Sequence, residues 1–184
     1  MQRTRANRKI IIELLFGILL IFLIAVDQIV KHYFSANYFL GEKTVVIDNF
    51  FYLTFTFNTG AAWSFLANVT WGQLFFKILT PIALIIFIII YVFALKRNYR
   101  WLKVALVLVI AGTVGNYIDR LLLNGVIDFL SFQFGDYFFP VFNMADIYLV
   151  VGTIMVFIHF IFLDKSAIFK VGNANKKDNG TNSK

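Results

Sequence analysis

Leu74–Leu95 reads LFFKILTPIALIIFIIIYVFAL, and this run decides the fold. Its one charge, Lys77, lies close to one end. A helix needs about 20 mainly apolar residues to cross the hydrocarbon core of a bilayer. Three further segments pass the same test: about Ile10–Val30, Val104–Leu123 and Phe142–Leu163. Of the 184 residues, 60% are hydrophobic and 15% charged, with mean hydropathy +0.77. A soluble domain of this size could not hide so much apolar surface. The expected class is an all-α membrane protein with four transmembrane helices.

Charge gives the orientation. Arg8 and Lys9 precede the first span, with Arg3 and Arg5 further upstream. Lys96, Arg97, Arg100 and Lys103 fill the short second connection, and Lys165, Lys170, Lys176, Lys177 and Lys184 follow the fourth span. The other connections hold few basic residues, so the positive-inside rule puts both termini in the cytoplasm. The net charge of +7 is therefore topological and not the footprint of a nucleic-acid partner. The first span begins like a signal peptide, but its apolar run is too long and no clear A-x-A site follows, so it is expected to stay. Residues 1–170 form one membrane domain, and the polar stretch 171–184 is expected to be a disordered cytoplasmic tail. The absence of cysteine excludes disulfides, thiolate metal sites and cysteine nucleophiles.

Two outer segments remain. In the first, Lys31 to about Gln73, Phe51-Tyr52-Leu53-Thr54-Phe55-Thr56-Phe57 alternates with a period of two between turn-like Asp48-Asn49 and Asn58-Thr59-Gly60. That pattern predicts a strand, and hence a small outer β-sheet within about 31–73. Trp63 and Trp71 suit an interfacial belt. The second outer segment, Asn124–Val141, carries Asp128 and Asp136.

Topology brings distant polar residues to one depth. The third span runs outward and the fourth inward, so Asp119 and Asp146 each lie about one turn below the outer surface. Asp128 follows the third span closely, and the first span brings Asp27 and Lys31 to the same slab. Carboxylates in or beside hydrocarbon cost several kcal/mol unless paired, solvated or protonated, so an active site or ion pathway is the expectation. Asn116, Asp119 and Arg120 form an expected local cluster, with Asn143 nearby. Gly112 and Gly115 would admit a close helix neighbour. Structural readings stand beside these. Asp27 with Lys31 reads equally as an i,i+4 interfacial pair, and Asp119 with Arg120 as a structural ion pair. His159 reads as packing and Asp136 as solvated. Asp128 and Asp146 have apolar flanks and no cationic neighbour in sequence, which makes them the functional pair to expect.

Two close carboxylates in a low dielectric share a proton: the ionised one can take a proton from water while the other polarises a carbonyl. That is acid–base hydrolysis of an amide. Ser35 and Ser64 could serve a Ser–Lys dyad with Lys31, but nothing marks them, and only His32 among the histidines is near the outer face. No H-E-x-x-H pattern or histidine cluster suggests a metal. The rival reading is a small proton- or cation-coupled transporter using the same aspartates. Against it, the carboxylates gather at one face and do not ladder across the membrane.

Five motifs occur in order on this four-span frame: Asp27-x-x-x-Lys31, Asn58-Thr59-Gly60-Ala61-Ala62, Gly115-Asn116-Tyr117-Ile118-Asp119-Arg120, Val126-Ile127-Asp128-Phe129 and Phe142-Asn143-Met144-Ala145-Asp146. In this the chain resembles the lipoprotein signal peptidases, the type II signal peptidase family of bacterial membranes. The resemblance implies an aspartic endopeptidase of the cell membrane with Asp128 and Asp146 catalytic and the site toward the outer leaflet. It implies that Asn58, Gly60, Asn116, Arg120 and Asn143 line the substrate pocket, that Asp119 supports it, and that Asp27 and Lys31 shape its outer rim. The implied substrates are lipid-modified prolipoproteins, cut before a diacylglyceryl cysteine, with lipid chains left in the bilayer. No metal or organic cofactor is implied, and globomycin-type cyclic peptides are the implied inhibitors. An extracytoplasmic β-cradle and a short surface helix are also implied, and the single complete pocket favours a monomer. Trp63 and Tyr117 depart from the family's usual residues at the pocket edge. The 31–73 segment is expected to move to admit substrate.

Overall fold

The computed structural model describes residues 2–60, 69 and 71–163. Its elements are α1 (Gln2–Asn37), β1 (Lys43–Ile47), β2 (Phe51–Asn58), α2 (Gly72–Arg97), α3 (Arg100–Leu123), β3 (Val126–Phe134), β4 (Tyr137–Phe138) and α4 (Met144–Ile158). A π-helical turn, His159–Leu163, prolongs α4. Among the described residues, four helices are long and apolar enough to cross a membrane, as expected. α1 is longer than its apolar run because nothing after Val30 breaks it: the amphipathic KHYFSAN continues the helix to Asn37.

α3 is the central span. In its most apolar stretch 56% of residues are buried, against 6% for α1 and for α2. Glycine makes this possible. A Cβ on Gly112 would lie 2.8 Å from Leu149 Cγ, and one on Gly152 would lie 2.7 Å from the Ala105 carbonyl. The α3–α4 contact therefore brings backbone close to backbone, as small residues allow in membranes. At the basic end, Ala94, Leu102 and Leu106 pack with Phe87, Ile90 and Val156. Asn98 and Asn124 end α2 and α3 in the left-handed region, φ 55° and 59°, a conformation asparagine tolerates at helix ends.

Pro81 lies inside α2 and has no N–H for the carbonyl one turn back, that of Lys77. The Tyr117 hydroxyl of α3 donates to that carbonyl at 3.3 Å. The orphaned acceptor is thus satisfied by a neighbouring helix, as hydrocarbon surroundings demand.

The sheet is antiparallel, in the order β1-β2-β3-β4. The expected strand is β2, and Asn49, at φ 56°, turns the chain between β1 and β2. The other half of the sheet lies outside 31–73. Val126-Ile127-Asp128 pairs with Asn58, Phe57 and Thr56. The sequence signal for β3 is weak because its first four residues are all buried, which removes the polar–apolar alternation of a half-buried strand. Phe34 of α1 stacks on Phe129 of β3 at 4.5 Å and seats the sheet on the bundle. Ala61, Ala62, Trp63, Ser64 and the 171–184 tail lie outside the described residues. Among the described residues no separate short helix appears.

Candidate active site

Asp128 stands on β3 and Asp146 in the first turn of α4. A backbone tie brings these elements together: Phe129 and Leu130 both donate to the Phe142 carbonyl, at 3.0 and 2.8 Å, and Phe142 N–H returns to Leu130 at 3.1 Å. The next residue, Asn143, caps α4. Its side chain accepts from Asp146 N–H at 3.0 Å, while the Asp146 carboxylate accepts from Asn143 N–H at 3.2 Å. This reciprocal box satisfies two N–H groups at the helix start.

Asn143 also joins the two carboxylates. Fully buried, it donates through Nδ2 to Asp128 Oδ1 at 2.7 Å, to Asn116 Oδ1 at 3.1 Å and to the Ile127 carbonyl at 3.1 Å. Asn116 in turn donates to Asp146 Oδ1 at 2.8 Å. Asn58 closes the other side of Asp128, donating to Oδ2 at 3.1 Å while accepting from Gly60 N–H at 2.8 Å. Burial pushes Asp128 up, and the neighbouring Asp146 pushes it further, to about 7, although Asn58, Asn143 and Lys31 pull the other way.

Behind this pair lies a buried charge network. Lys31 Nζ reaches Asp27 Oδ2 at 2.9 Å, Asp119 Oδ2 at 3.0 Å and Asn116 Oδ1 at 2.9 Å. An ammonium has three N–H donors, and all three are used. Asp27 accepts from Ala145 N–H at 2.9 Å, locking α1 to the start of α4. Asp119 accepts from Ile127 N–H at 3.2 Å and so holds β3 beside α3. Asp27 and Lys31 are 0% and 1% exposed. They are an i,i+4 pair, as expected, but stand behind the carboxylates and not at an outer rim.

Asp119 and Arg120 do not pair. Adjacent helix positions point about 100° apart, and Asp119 turns to Lys31 while Arg120 turns to the sheet side. Arg120 donates to the Asn116 carbonyl at 3.3 Å and the Gly60 carbonyl at 3.2 Å, with its guanidinium 5.0 Å from the Phe76 ring centre. Its Nε is buried without a hydrogen-bond partner among the described residues.

Every site residue named from the sequence meets in this one network. The His159 ring lies tilted against that of Tyr99, 4.8 Å between centres and far from this network, and Asp136 is exposed. Ser35 donates to the His32 carbonyl on the surface of α1, not to a base. Gln28 escaped the sequence reading. It bridges the Gly115 carbonyl at 3.1 Å and Asp119 Oδ1 at 3.0 Å. A polar residue beside Asp27 in an apolar run was the available signal. Glu13 and Lys103 escaped it too. They pair at 2.5 Å toward the basic end, joined by the Tyr91 hydroxyl on Glu13 at 3.1 Å.

Known proteins resemble this chain in sequence and in fold. Residues 19–162 match the family described as Signal peptidase (SPase) II. A lipoprotein signal peptidase of Bacillus velezensis is 39% identical over 149 residues, covering 81% of this chain and 95% of that protein. One of Bacillus pumilus is 41% identical over 136 residues, covering 74% and 85%. Among solved structures, one titled as a bacterial membrane enzyme at 1.9 Å resolution superposes with TM-score 0.68 at 32% identity, covering 82% of this chain and 94% of that one. With the family's match spanning most of the membrane part, the chain belongs to the signal peptidase II family.

Proposed function

We propose that this protein is an intramembrane aspartic endopeptidase that removes signal peptides from prolipoproteins, cutting before the diacylglyceryl cysteine. The observation that carries this reading is the linkage of Asp128 and Asp146 through Asn143 and Asn116 in one partly buried hydrogen-bond network. Asp128, with its raised pKa, holds the shared proton and polarises the scissile carbonyl. Asp146 takes a proton from the attacking water. The tetrahedral intermediate then collapses as Asp128 donates its proton to the leaving amine, and Asp146 passes the proton it took from water to Asp128, so the pair ends with one proton on Asp128, as it began. No covalent intermediate forms.

Arg120 supports substrate binding. Its unused Nε–H and its positive charge suit the glyceryl ester or the peptide carbonyl, and Asn58 and Gly60 border the same space. Asp27, Lys31 and Asp119 hold the walls in place, and positioning of this kind supplies much of the rate of such reactions. The protein would work as a monomer in the bacterial cell membrane, with the site toward the outer leaflet and globomycin-type peptides as inhibitors.

The test is cleavage of a diacylglyceryl-modified prolipoprotein by purified wild type, Asp128→Asn, Asp146→Asn and Asp119→Asn, each checked by thermal melting. Loss of cleavage in the first two with melting unchanged is the expected result. Retained cleavage in Asp128→Asn would remove it from the chemistry. An inactive wild type that conducts protons would favour the transporter instead.

A further inference from the structure

At the end of the bundle opposite the aspartates, two concavities meet. One is a groove of about 550 Å³ along α1, walled by Ile10, Leu14, Gly17, Ile18 and Ile21. The other is a smaller cavity of about 180 Å³, lined by Arg8, Lys9, Ile12, Asn98 and Arg100. Lys9 and Glu13 border both, so the two are neighbours. The groove is apolar, and the cavity carries three cations. Glu13 does not cancel them, because its carboxylate is already held by buried Lys103 and by Tyr91.

Shape and polarity change together along this path. From Lys9 to Ile21 the helix rises about 18 Å at about 1.5 Å per residue. One leaflet of hydrocarbon is about 15 Å deep. A Cβ on Gly17 would meet nothing within 4 Å, so the helix has a notch midway along the groove. Basic residues at this end also serve topology, but topology needs neither a cavity nor a groove beside it.

We infer that this end of the molecule binds one anionic phospholipid, its phosphodiester among Arg8, Lys9 and Arg100 and an acyl chain along α1 through the Gly17 notch. The site is separate from the carboxylate pair and does not depend on the proposed reaction. Charge selects the headgroup, since each Lys or Arg near a bilayer surface favours an anionic lipid by about fivefold in affinity.

The full-length protein, delipidated in neutral detergent, would be titrated with phosphatidylglycerol, phosphatidylcholine or glycerol phosphate and read by native mass spectrometry. The expected result is one phosphatidylglycerol per chain, bound at least about tenfold more tightly than phosphatidylcholine. In the triple variant Arg8→Gln, Lys9→Gln, Arg100→Gln that preference should vanish. In Gly17→Leu both lipids should weaken alike, with the preference kept. Equal affinity of wild type for the two lipids would overturn the inference, and needs no variant to fold. So would a preference that survives the triple substitution, glycerol phosphate binding as tightly as the lipid, or a second protein chain appearing where the lipid adduct should be.

Discussion

Burial and the adjacent Asp146 lift Asp128 from its ordinary 3.8 to about 7, and this has consequences at two readouts. If the pair must hold one proton, kcat/KM should fall as pH rises past about 7, by up to tenfold per unit. Stability should move the same way. The folded state binds the proton more tightly than the unfolded state, so this group's contribution is full below about pH 4 and is lost as pH rises through about 7. Asp128→Asn should flatten that part of the melting-temperature profile. A profile unchanged by the substitution would place the proton elsewhere. Lys31 makes the contrasting case. Lys31→Met strands Asp27 and Asp119 in a buried site, and removing one partner of a buried ion pair typically costs about 3–5 kcal/mol. Its thermal midpoint should drop sharply, with cleavage lost through the fold, whereas Asp128→Asn should lose cleavage without unfolding.

Among the elements, α2 and α3 show how a proline is accommodated. The Tyr117 hydroxyl meets the Lys77 carbonyl that Pro81 leaves open. Tyr117→Phe should therefore cost about 1 kcal/mol, near 2–4 °C in melting temperature, and Pro81→Ala in the same chain should recover it. If Tyr117→Phe melts with wild type, the bond contributes nothing. The helices were legible because apolar runs of membrane length have no soluble alternative. β2 was legible from its alternation. β3 was not, since a strand buried on both faces shows no period, and its pairing with Thr56 and Phe57 is fixed only in three dimensions. In the same way, topology put Asp27, Asp119, Asp128 and Asp146 at one depth, but could not say that Asp119 faces Lys31 and Arg120 faces Gly60. Which of two adjacent helix residues turns to which neighbour depends on crossing geometry, and one sequence does not contain it.

For the molecule as a whole, polar ties stand at both ends of α3. Near the carboxylates Lys31 binds α1 to α3, and toward the basic end Lys103 does so through Glu13. Glu13→Gln leaves Lys103, 1% exposed, without its counter-charge. It should destabilise more than the double change Glu13→Leu with Lys103→Met, which removes both charges together. Thermal melting of the two proteins in one detergent decides this; equal midpoints would mean the pair is solvated. The sheet has looser ties, with β1 exposed along its whole length. Spin labels on Val45 and on the first turn of α4 should change separation when a substrate or cyclic-peptide inhibitor binds. Constant distances would make the sheet a fixed wall.

The capping box on α4 also bears on how the protein is made. Asp128 emerges from the ribosome before Asp146, and Asn143, which joins them, arrives with the last span. A nascent chain stalled after β4 has its sheet strands and its lysine network but only one of the two carboxylates. Insertion of the final helix supplies the second carboxylate, the amide that links the pair and the N–H donors around them in a single event. During biosynthesis the site thus stays incomplete until the start of α4 arrives.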